Sequence, residues 1–311
     1  MKWFSSHLTR RDAIRAGVGM LAGLTLRRFT SLSDPRELIA RPIPSSGEML
    51  PVIGIGTARR YDVGAAEDER APLRAVLKQF SEMGGRLVDT APSYGKAEPV
   101  VGDLVADIGN RKSLFLATKV RSRTAAEGVA EMNRSFELLH TDVIDLMQVH
   151  NLVGVREMLP VLREWKAEGR IRYLGATTSR SSQYEEFVAT MESEDMDFVQ
   201  VNYSLADRGA ADRILPLAAD RGMAVLVNLP YGRGRLFSTV GDRPLPDWAA
   251  QFDCTSWGQF FLKYVVSHPA VTCAIPGTAK ISYLEDNLGA AMGRLPTPAL
   301  RKKMERFFDD L

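Results

Sequence analysis

Side chains that can hold or move a proton stand at the ends of three apolar segments. Asp89 and Lys119 each close one such segment, and His150 closes a third. Tyr94 follows shortly after Asp89 in the run Asp89-Thr-Ala-Pro-Ser-Tyr94-Gly95. A single ionisable residue could end an apolar segment by chance, but an acid, a base and an imidazole doing so together indicate a shared site.

These residue types suit the reduction of a carbonyl group. Hydride transfer to a carbonyl carbon makes an alkoxide, which needs a proton and a donor aimed at the developing charge. Tyrosine has an ordinary pKa of about 10, so Tyr94 is expected to release its proton more easily beside the ammonium of Lys119. Asp89 is expected to keep Lys119 charged and in place, and His150 to donate a hydrogen bond to the carbonyl oxygen.

Each of these residues also has a structural interpretation. Asp89 could be a turn or N-cap residue, Tyr94 an interface ring, and Lys119 a side chain that extends from a strand end into solvent. The closing position of His150 on a buried strand favours the functional interpretation.

Composition and charge exclude several classes of protein. The chain has 311 residues, of which 45% are hydrophobic and 25% are charged, as in ordinary globular proteins. The net charge of +2 predicts no nucleic-acid partner. Cys254 and Cys273 lack the Cys-x-x-Cys spacing, so no metal is expected. The chain also lacks the His-Glu-x-x-His, Gly-x-Ser-x-Gly and Gly-Lys-Ser/Thr motifs.

Residues 1–45 are predicted to be an export signal and linker. Arg10 and Arg11 precede a weakly hydrophobic run at 16–26 and resemble a twin-arginine signal, which implies contact with the twin-arginine export machinery and a periplasmic location. The run is shorter than the roughly 20 residues that span a bilayer, so no membrane contact is expected of the mature form. A basic amphipathic helix or interfacial anchor is the alternative. The Pro- and Ser-containing residues 41–47 are interpreted as the linker.

Residues 46–311 are predicted to form one (β/α)8 TIM barrel. Short apolar segments alternate with helical patterns, and about 265 residues are close to the roughly 250 typical of this fold. An open doubly wound sheet would need a Gly-x-Gly-x-x-Gly turn after its first strand, and Gly54-Ile-Gly-Thr57 has no third glycine. The predicted strands are 52–57, 86–90, 114–119, 143–149, 171–177, 198–202, 223–228 and 271–275. The predicted helices are 67–83, 96–107, 125–139, 155–168, 181–191, 208–221, 256–267 and 280–291, with one more amphipathic helix at the C-terminus.

The motifs at these strand ends are similar to those of the aldo-keto reductase superfamily. The resemblance extends from about Leu50 to Leu288 and implies an NAD(P)H-dependent reductase of a small aldehyde or ketone, with NADP(H) favoured over NAD(H). It implies Tyr94 as the general acid, Lys119 and Asp89 as the pair that tunes it, and His150 as the residue that orients the substrate. The matching motifs are Gly56-Thr57, Asp89 with Tyr94-Gly95, Ala117-Thr-Lys119, Asp145-Leu through His150, Leu174-Gly175, Gln200-Val-Asn-Tyr203 and Ile275-Pro-Gly277 with Asn287.

The same resemblance implies a set of cofactor-binding residues. Gln200 would contact the nicotinamide amide and Asn287 the adenine. Gly277 and Thr278 precede a helix and are expected to seat a phosphate, because helix N-termini present free N–H groups. The full set is Gly56, Thr57, Asp89, Thr177, Thr178, Gln200, Asn228, Pro230, Gly232, Gly277, Thr278, Lys280, Tyr283, Asp286 and Asn287.

Three departures from the family pattern leave a second hypothesis open. Thr177-Thr178 stands where Ser-Asn is usual, Asn228 where an aromatic ring often stacks on the nicotinamide, and Tyr283 where an arginine often holds a phosphate. The alternative is therefore a nicotinamide-nucleotide-binding or sensing protein with little turnover. The long segment 229–256 is expected to be a loop that lies over the cofactor or substrate.

Overall fold

The structure, a computed structural model, describes residues 37–311. Within this part of the chain, eight parallel strands pair in chain order. Two further bridges, Ile53 with Ala274 and Gly56 with Gly277, join the beginning of this sheet to its end. The predicted (β/α)8 barrel is therefore confirmed.

Helices follow most of the strands, as this fold requires. The strands are β1 (Ala40–Pro42), β2 (Met49–Pro51), β3 (Ile55–Gly56), β4 (Leu87–Asp89), β5 (Phe115–Val120), β6 (Ile144–Val149), β7 (Ile171–Thr177), β8 (Phe198–Asn202), β9 (Ala224–Asn228) and β10 (Cys273–Ala274). The helices are α1 (Glu67–Glu82), α2 (Ala97–Ile108), α3 (Ala125–Leu138), α4 (Val155–Ala167), α5 (Tyr184–Ser193), α6 (Ile214–Asp220), α7 (Arg235–Val240), α8 (Trp257–Val266), α9 (Ile281–Gly289) and α10 (Pro298–Asp309). None of the helices in residues 37–311 is both long and apolar enough to cross a membrane.

The barrel interior is apolar at its lower level and polar at its upper level. Side chains of a strand alternate between the two faces of a sheet, so every second residue points inward. On β5, Phe115 and Ala117 belong to the interior apolar cluster, and Lys119 is the next residue on the same face. On β4, Leu87 and Asp89 are related in the same way. The strand periodicity therefore places the ionisable residues above a buried apolar layer, at the carboxyl end of the barrel.

A short hairpin, which sequence analysis did not predict, lies before the barrel. Residues 41–47 were expected to be a linker, but β1 pairs with β2 in antiparallel fashion, with Ala40 opposite Pro51. Ile43 and Leu50 from this hairpin belong to the interior apolar cluster. Three-residue strands carry too little alternation to be recognised in a sequence. Residues 1–36, which include the basic pair and the hydrophobic run of the expected signal, lie outside the described residues.

The segment 229–256 is more ordered than a loop. It contains helix α7 and a six-residue 3-10 helix at Asp247–Phe252. Leu236 and Phe252 of these elements are completely buried, so the segment packs on the barrel through its apolar side chains. Other differences are small: the first and last barrel strands are shorter than predicted, and a 3-10 turn replaces the start of the helix predicted at 208–221.

Candidate active site

A large cavity opens at the carboxyl ends of the barrel strands. Its volume is about 1090 Å³, and Asp89, Tyr94, Lys119 and His150 all line it. The four residues proposed from the sequence therefore share one site, although they lie on separate parts of the chain. Ordinary small-molecule pockets have volumes of roughly 300–1,000 Å³, so this cavity has room for a dinucleotide and a small substrate.

Lys119 and Asp89 form a buried ion pair on neighbouring strands. Lys119 Nζ lies 2.8 Å from each carboxylate oxygen of Asp89 and also donates to the carbonyl oxygen of Thr90 at 2.8 Å. Burial raises the pKa of Asp89, and the ammonium of Lys119 opposes this rise. Burial lowers the pKa of Lys119, but the negative charge of Asp89 outweighs it and the pKa is raised. Lys119 therefore carries a permanent positive charge at neutral pH.

Tyr94 lies above this ion pair, in the turn between β4 and α2. Lys119 Nζ is 5.1 Å from the centroid of the Tyr94 ring. Burial raises the pKa of Tyr94, while the charge of Lys119 lowers it by less. The sequence-based expectation of an eased proton release from Tyr94 is thus only partly met. The attraction from Lys119 is present, but the loss of hydration on burial outweighs it.

His150 closes β6 and faces the same cavity. Its ring makes an edge contact with the Tyr94 ring, with centroids 5.9 Å apart. Burial, together with the charges of Lys119 and Arg121, lowers the pKa of His150 to about 3. The imidazole is therefore neutral at pH 7. Ser93 Oγ lies 3.3 Å from His150 Nδ1, and a hydroxyl that donates there leaves the ring proton on Nε2.

A chain of amide groups on β6, β8 and β9 lies at the barrel mouth. Gln148 Nε2 donates to Gln200 Oε1 at 2.7 Å, and Gln200 Nε2 donates to Asn228 Oδ1 at 2.5 Å. Gln200 and Asn228 line the cavity, whereas Gln148 lies buried behind them. These bonds fix the orientation of the Gln200 amide, so the wall offers polar groups of the kind that a carboxamide pairs with.

Most of the cofactor-binding residues implied by the resemblance line this cavity. Gly56 and Gly277 lie where the first and last strands meet, and a Cβ on Gly56 would clash with the backbone oxygen of Ile275, so the missing side chain lets these two strands pair closely. Those on the cavity wall are Gly56, Thr57, Asp89, Thr177, Gln200, Asn228, Pro230, Gly277, Tyr283, Asp286 and Asn287.

Four residues of the implied set do not reach the cavity wall. Thr178 Oγ1 donates to Gln183 Oε1 at 2.8 Å, and the buried Thr278 Oγ1 accepts from Asn287 Nδ2 at 2.9 Å. Gly232 is buried in a short 3-10 turn, and Lys280 Nζ lies 5.5 Å from the centroid of the Tyr283 ring. The cofactor roles of these four, like those of the residues on the cavity wall, stay sequence-based predictions.

The cavity wall also contains residues that the sequence analysis did not select. Ser93 and Asn151 are the chain neighbours of Tyr94 and His150, and this adjacency was the one signal that could have identified them. Tyr231 donates to Asn287 Oδ1 at 2.5 Å, a contact between distant parts of the chain that no local pattern reveals. The residues missed include Arg59, Arg60, Asp62, Ser93, Asn151, Ser179, Tyr231 and Phe237.

Comparisons with known proteins agree with this architecture. A reductase named for methylglyoxal, YeaE of Escherichia coli, is 29% identical over 253 residues, covering 79% of this chain and 87% of the relative. YhdN of Bacillus subtilis, an aldo-keto reductase, is 31% identical over 200 residues, and the match covers 59% of each chain. A solved aldo-keto reductase, AKR11C1 from Bacillus halodurans, superposes with a TM-score of 0.70 at 23% identity, covering 87% of this chain and 96% of the other. An aldo/keto reductase from Klebsiella pneumoniae, solved with NADP and acetate, gives a TM-score of 0.69 at 24% identity, covering 84% and 93%.

Fold and site together define a barrel enzyme whose polar centre lies at the carboxyl ends of its strands. The model of the aldo/keto reductase family matches residues 52–301. The chain belongs to the aldo/keto reductase family and is an oxidoreductase.

Proposed function

We propose that this protein uses a nicotinamide cofactor to reduce an aldehyde or ketone to an alcohol, with Tyr94 as the general acid. The observation that carries the proposal is the arrangement of Tyr94 and His150 on one cavity directly above the Asp89–Lys119 ion pair. The names of relatives such as YeaE, a methylglyoxal reductase, support a small carbonyl compound as substrate.

The chain's own groups have complementary roles in this reaction. A cofactor bound along the cavity would supply the hydride. Because burial raises the pKa of Tyr94, its phenol keeps a proton at pH 7 and can give it to the forming alkoxide. The ammonium of Lys119 stabilises the phenolate that this transfer leaves, and Asp89 holds Lys119 in place. The neutral His150 ring donates its N–H to the carbonyl oxygen and orients the substrate.

For the cofactor, we propose NADP(H) in preference to NAD(H). Relatives of both kinds exist: one from Schizosaccharomyces pombe is named for NADP(+), and one from Escherichia coli is named an NADH-specific methylglyoxal reductase. Gln200 and Asn228 would meet the nicotinamide amide, and Gly56 and Gly277 would lie against the phosphates. Solved relatives from Klebsiella pneumoniae with NADP or NADPH bound support NADP(H). Because Tyr283, exposed at the rim, offers no guanidinium to a 2′-phosphate, other groups would have to bind that phosphate.

The test is a titration followed by turnover measurements. Purified protein is titrated with NADPH and NADH by fluorescence and then supplied with a panel of small aldehydes and ketones. We expect tight binding of at least one nucleotide and carbonyl-dependent oxidation of it. In Tyr94→Phe, we expect unchanged nucleotide binding and a rate lower by about 10²–10⁴-fold, the usual contribution of a general acid. Full activity of Tyr94→Phe would contradict the acid assignment.

The sensing alternative predicts a different result. If the protein is a sensor, it binds the nucleotide but does not oxidise it with any carbonyl compound of the panel. The altered positions Thr178 and Asn228 motivate this alternative. The presence of Asp89, Tyr94, Lys119 and His150 on one cavity supports turnover rather than binding alone.

We also propose that residues 1–45 direct export through the twin-arginine machinery to the periplasm. The support is the sequence: Arg10-Arg11 followed by a short, weakly hydrophobic run. A reporter fused after residue 45 is expected to reach the periplasm and to stay in the cytoplasm when Arg10 and Arg11 are both changed to lysine. Equal export by both fusions would contradict the twin-arginine assignment.

A further inference from the structure

Asn151, the residue after His150, has a backbone conformation that few side chains adopt. Its φ is +53°, and that of the next residue, Leu152, is +58°. Asparagine tolerates this left-handed region better than most residues, but a leucine there is strained. Strain of this kind persists where surrounding contacts hold it, often at functional sites. The turn carries Asn151 onto the cavity wall beside His150.

Hydrogen bonds from three other residues hold this turn in place. The backbone N–H of Asn151 donates to Thr177 Oγ1 at 3.1 Å, and Gln183 Nε2 donates to the Asn151 carbonyl at 3.0 Å. The Asn151 side chain is fixed separately by Ser179, whose backbone N–H and Oγ lie 2.9 and 3.1 Å from Asn151 Oδ1. Both the backbone and the side chain of Asn151 are therefore held before any ligand binds.

The contact with Ser179 decides which end of the amide faces the cavity. A backbone N–H can only donate, so the Asn151 atom that faces it must be the acceptor, Oδ1. The other end, Nδ2, carries two N–H donors. Within residues 37–311, no acceptor lies at hydrogen-bonding distance from Nδ2, and it is not among the buried polar atoms that lack a partner. Asn151 therefore presents a fixed and free donor beside His150.

We propose that Asn151 Nδ2 binds a second oxygen of the substrate, carried on the carbon next to the reacting carbonyl. Donors from consecutive residues on one wall suit two oxygens on neighbouring carbon atoms. The substrate class is then an α-hydroxy or α-oxo aldehyde or ketone, and a neutral amide requires no charge on it. Asn151 is a specificity-determining residue in this view, and the inference rests on the carbonyl reduction proposed above.

The kinetic test compares two ketones of the same size. Hydroxyacetone and butanone differ in one position, where a hydroxyl replaces a methyl group. We expect the wild type to have the higher kcat/KM for hydroxyacetone. Asn151→Gly keeps the positive φ and Asn151→Asp keeps the acceptor for Ser179, but both lose the donor. A hydrogen bond of about 1 kcal/mol corresponds to a fall of roughly five- to tenfold in the ratio of the two kcat/KM values.

A control separates this effect from a general loss of structure. Asn133 is an exposed asparagine on α3 whose Oδ1 accepts from Arg170, and neither residue lines the cavity. Asn133→Asp is expected to leave the ratio of the two kcat/KM values unchanged. An unchanged ratio in both Asn151 variants would overturn the inference and leave the carbonyl reduction intact.

A binding measurement tests the contact between Asn151 and the second oxygen without requiring turnover. The side-chain amide signals of Asn151 in an NMR spectrum are identified by their loss in Asn151→Asp. They are expected to shift when hydroxyacetone is added to the protein saturated with oxidised nucleotide and to stay in place with butanone. Failure of these signals to respond to hydroxyacetone overturns the inference. If the Asn151 signals shift but the protein reduces no carbonyl compound, the result contradicts the proposed reaction and not the role of Asn151.

Discussion

The ammonium of Lys119 lies 2.8 Å from both carboxylate oxygens of Asp89, and each side chain is at most 2% exposed. A buried pair of this kind adds little net stability compared with an apolar pair, because both charges lose their hydration. The ion pair instead holds the positive charge of Lys119 beneath the ring of Tyr94. The site therefore depends on both partners being present.

Removing one partner of this pair is expected to destabilise the protein strongly. Asp89→Asn leaves the Lys119 ammonium buried without its counter-charge, which costs about 3–5 kcal/mol in the free energy of unfolding. The double variant Asp89→Asn with Lys119→Met removes both charges and is expected to recover part of this loss. Urea denaturation monitored by circular dichroism measures both. A double variant less stable than the single one would contradict this account.

His150 is expected to make the protein less stable in acid. Its pKa is about 3 in the folded state, against an ordinary 6.5 when unfolded. Between these two pKa values, His150 binds a proton in the unfolded chain but not in the folded chain. The free energy of unfolding therefore falls as the pH falls from 7 to 4. The loss from this one group is on the order of 3 kcal/mol.

The variant His150→Gln isolates this effect. It cannot be protonated, so its stability is expected to fall less between pH 7 and pH 4 than that of the wild type. His268, whose pKa is also lowered, to about 4, acts in the same direction and remains in the variant. Denaturation curves at the two pH values give the comparison. Equal losses in both proteins would show that His150 is not the group responsible.

The glycine pair that joins the barrel ends is expected to respond asymmetrically to alanine. A Cβ on Gly56 would lie 2.7 Å from the backbone oxygen of Ile275, whereas the nearest atom to a Cβ on Gly277 is the flexible Arg60 side chain at 3.4 Å. We expect Gly56→Ala to lower the free energy of unfolding by about 1–3 kcal/mol. Gly277→Ala should stay within about 0.5 kcal/mol of the wild type. Similar losses in the two variants would refute this reasoning.

Tyr283→Arg is expected to strengthen the preference for NADPH. Tyr283 is 56% exposed at the rim of the cavity, so a longer side chain fits there without repacking. A guanidinium can pair with a 2′-phosphate through two hydrogen bonds, which the phenol cannot do. We expect the ratio of the NADH to the NADPH dissociation constant to rise about tenfold, because a charged hydrogen bond contributes roughly 1.5 kcal/mol to binding. Tyr283→Phe is the control, and equal changes for both nucleotides would count against the idea.

The sequence alone determined the barrel and identified four polar residues that the fold brings to one cavity. Strands buried on both faces are apolar throughout, so an ionisable residue that ends one of them is conspicuous. Asp89, Lys119 and His150 were found in this way. Since the carboxyl ends of barrel strands meet at one face, Asp89 and Lys119 were expected to lie close together, and the structure brings them into contact.

The tertiary structure decided the properties that depend on surroundings. The raised pKa of Tyr94 follows from how much water its neighbours exclude, and the free Nδ2 of Asn151 follows from contacts with Thr177, Ser179 and Gln183. Neither is encoded by residue type or spacing near the site. Hydration and hydrogen bonding are set by segments that meet only after folding, and a local pattern identifies a side chain without specifying what will surround it.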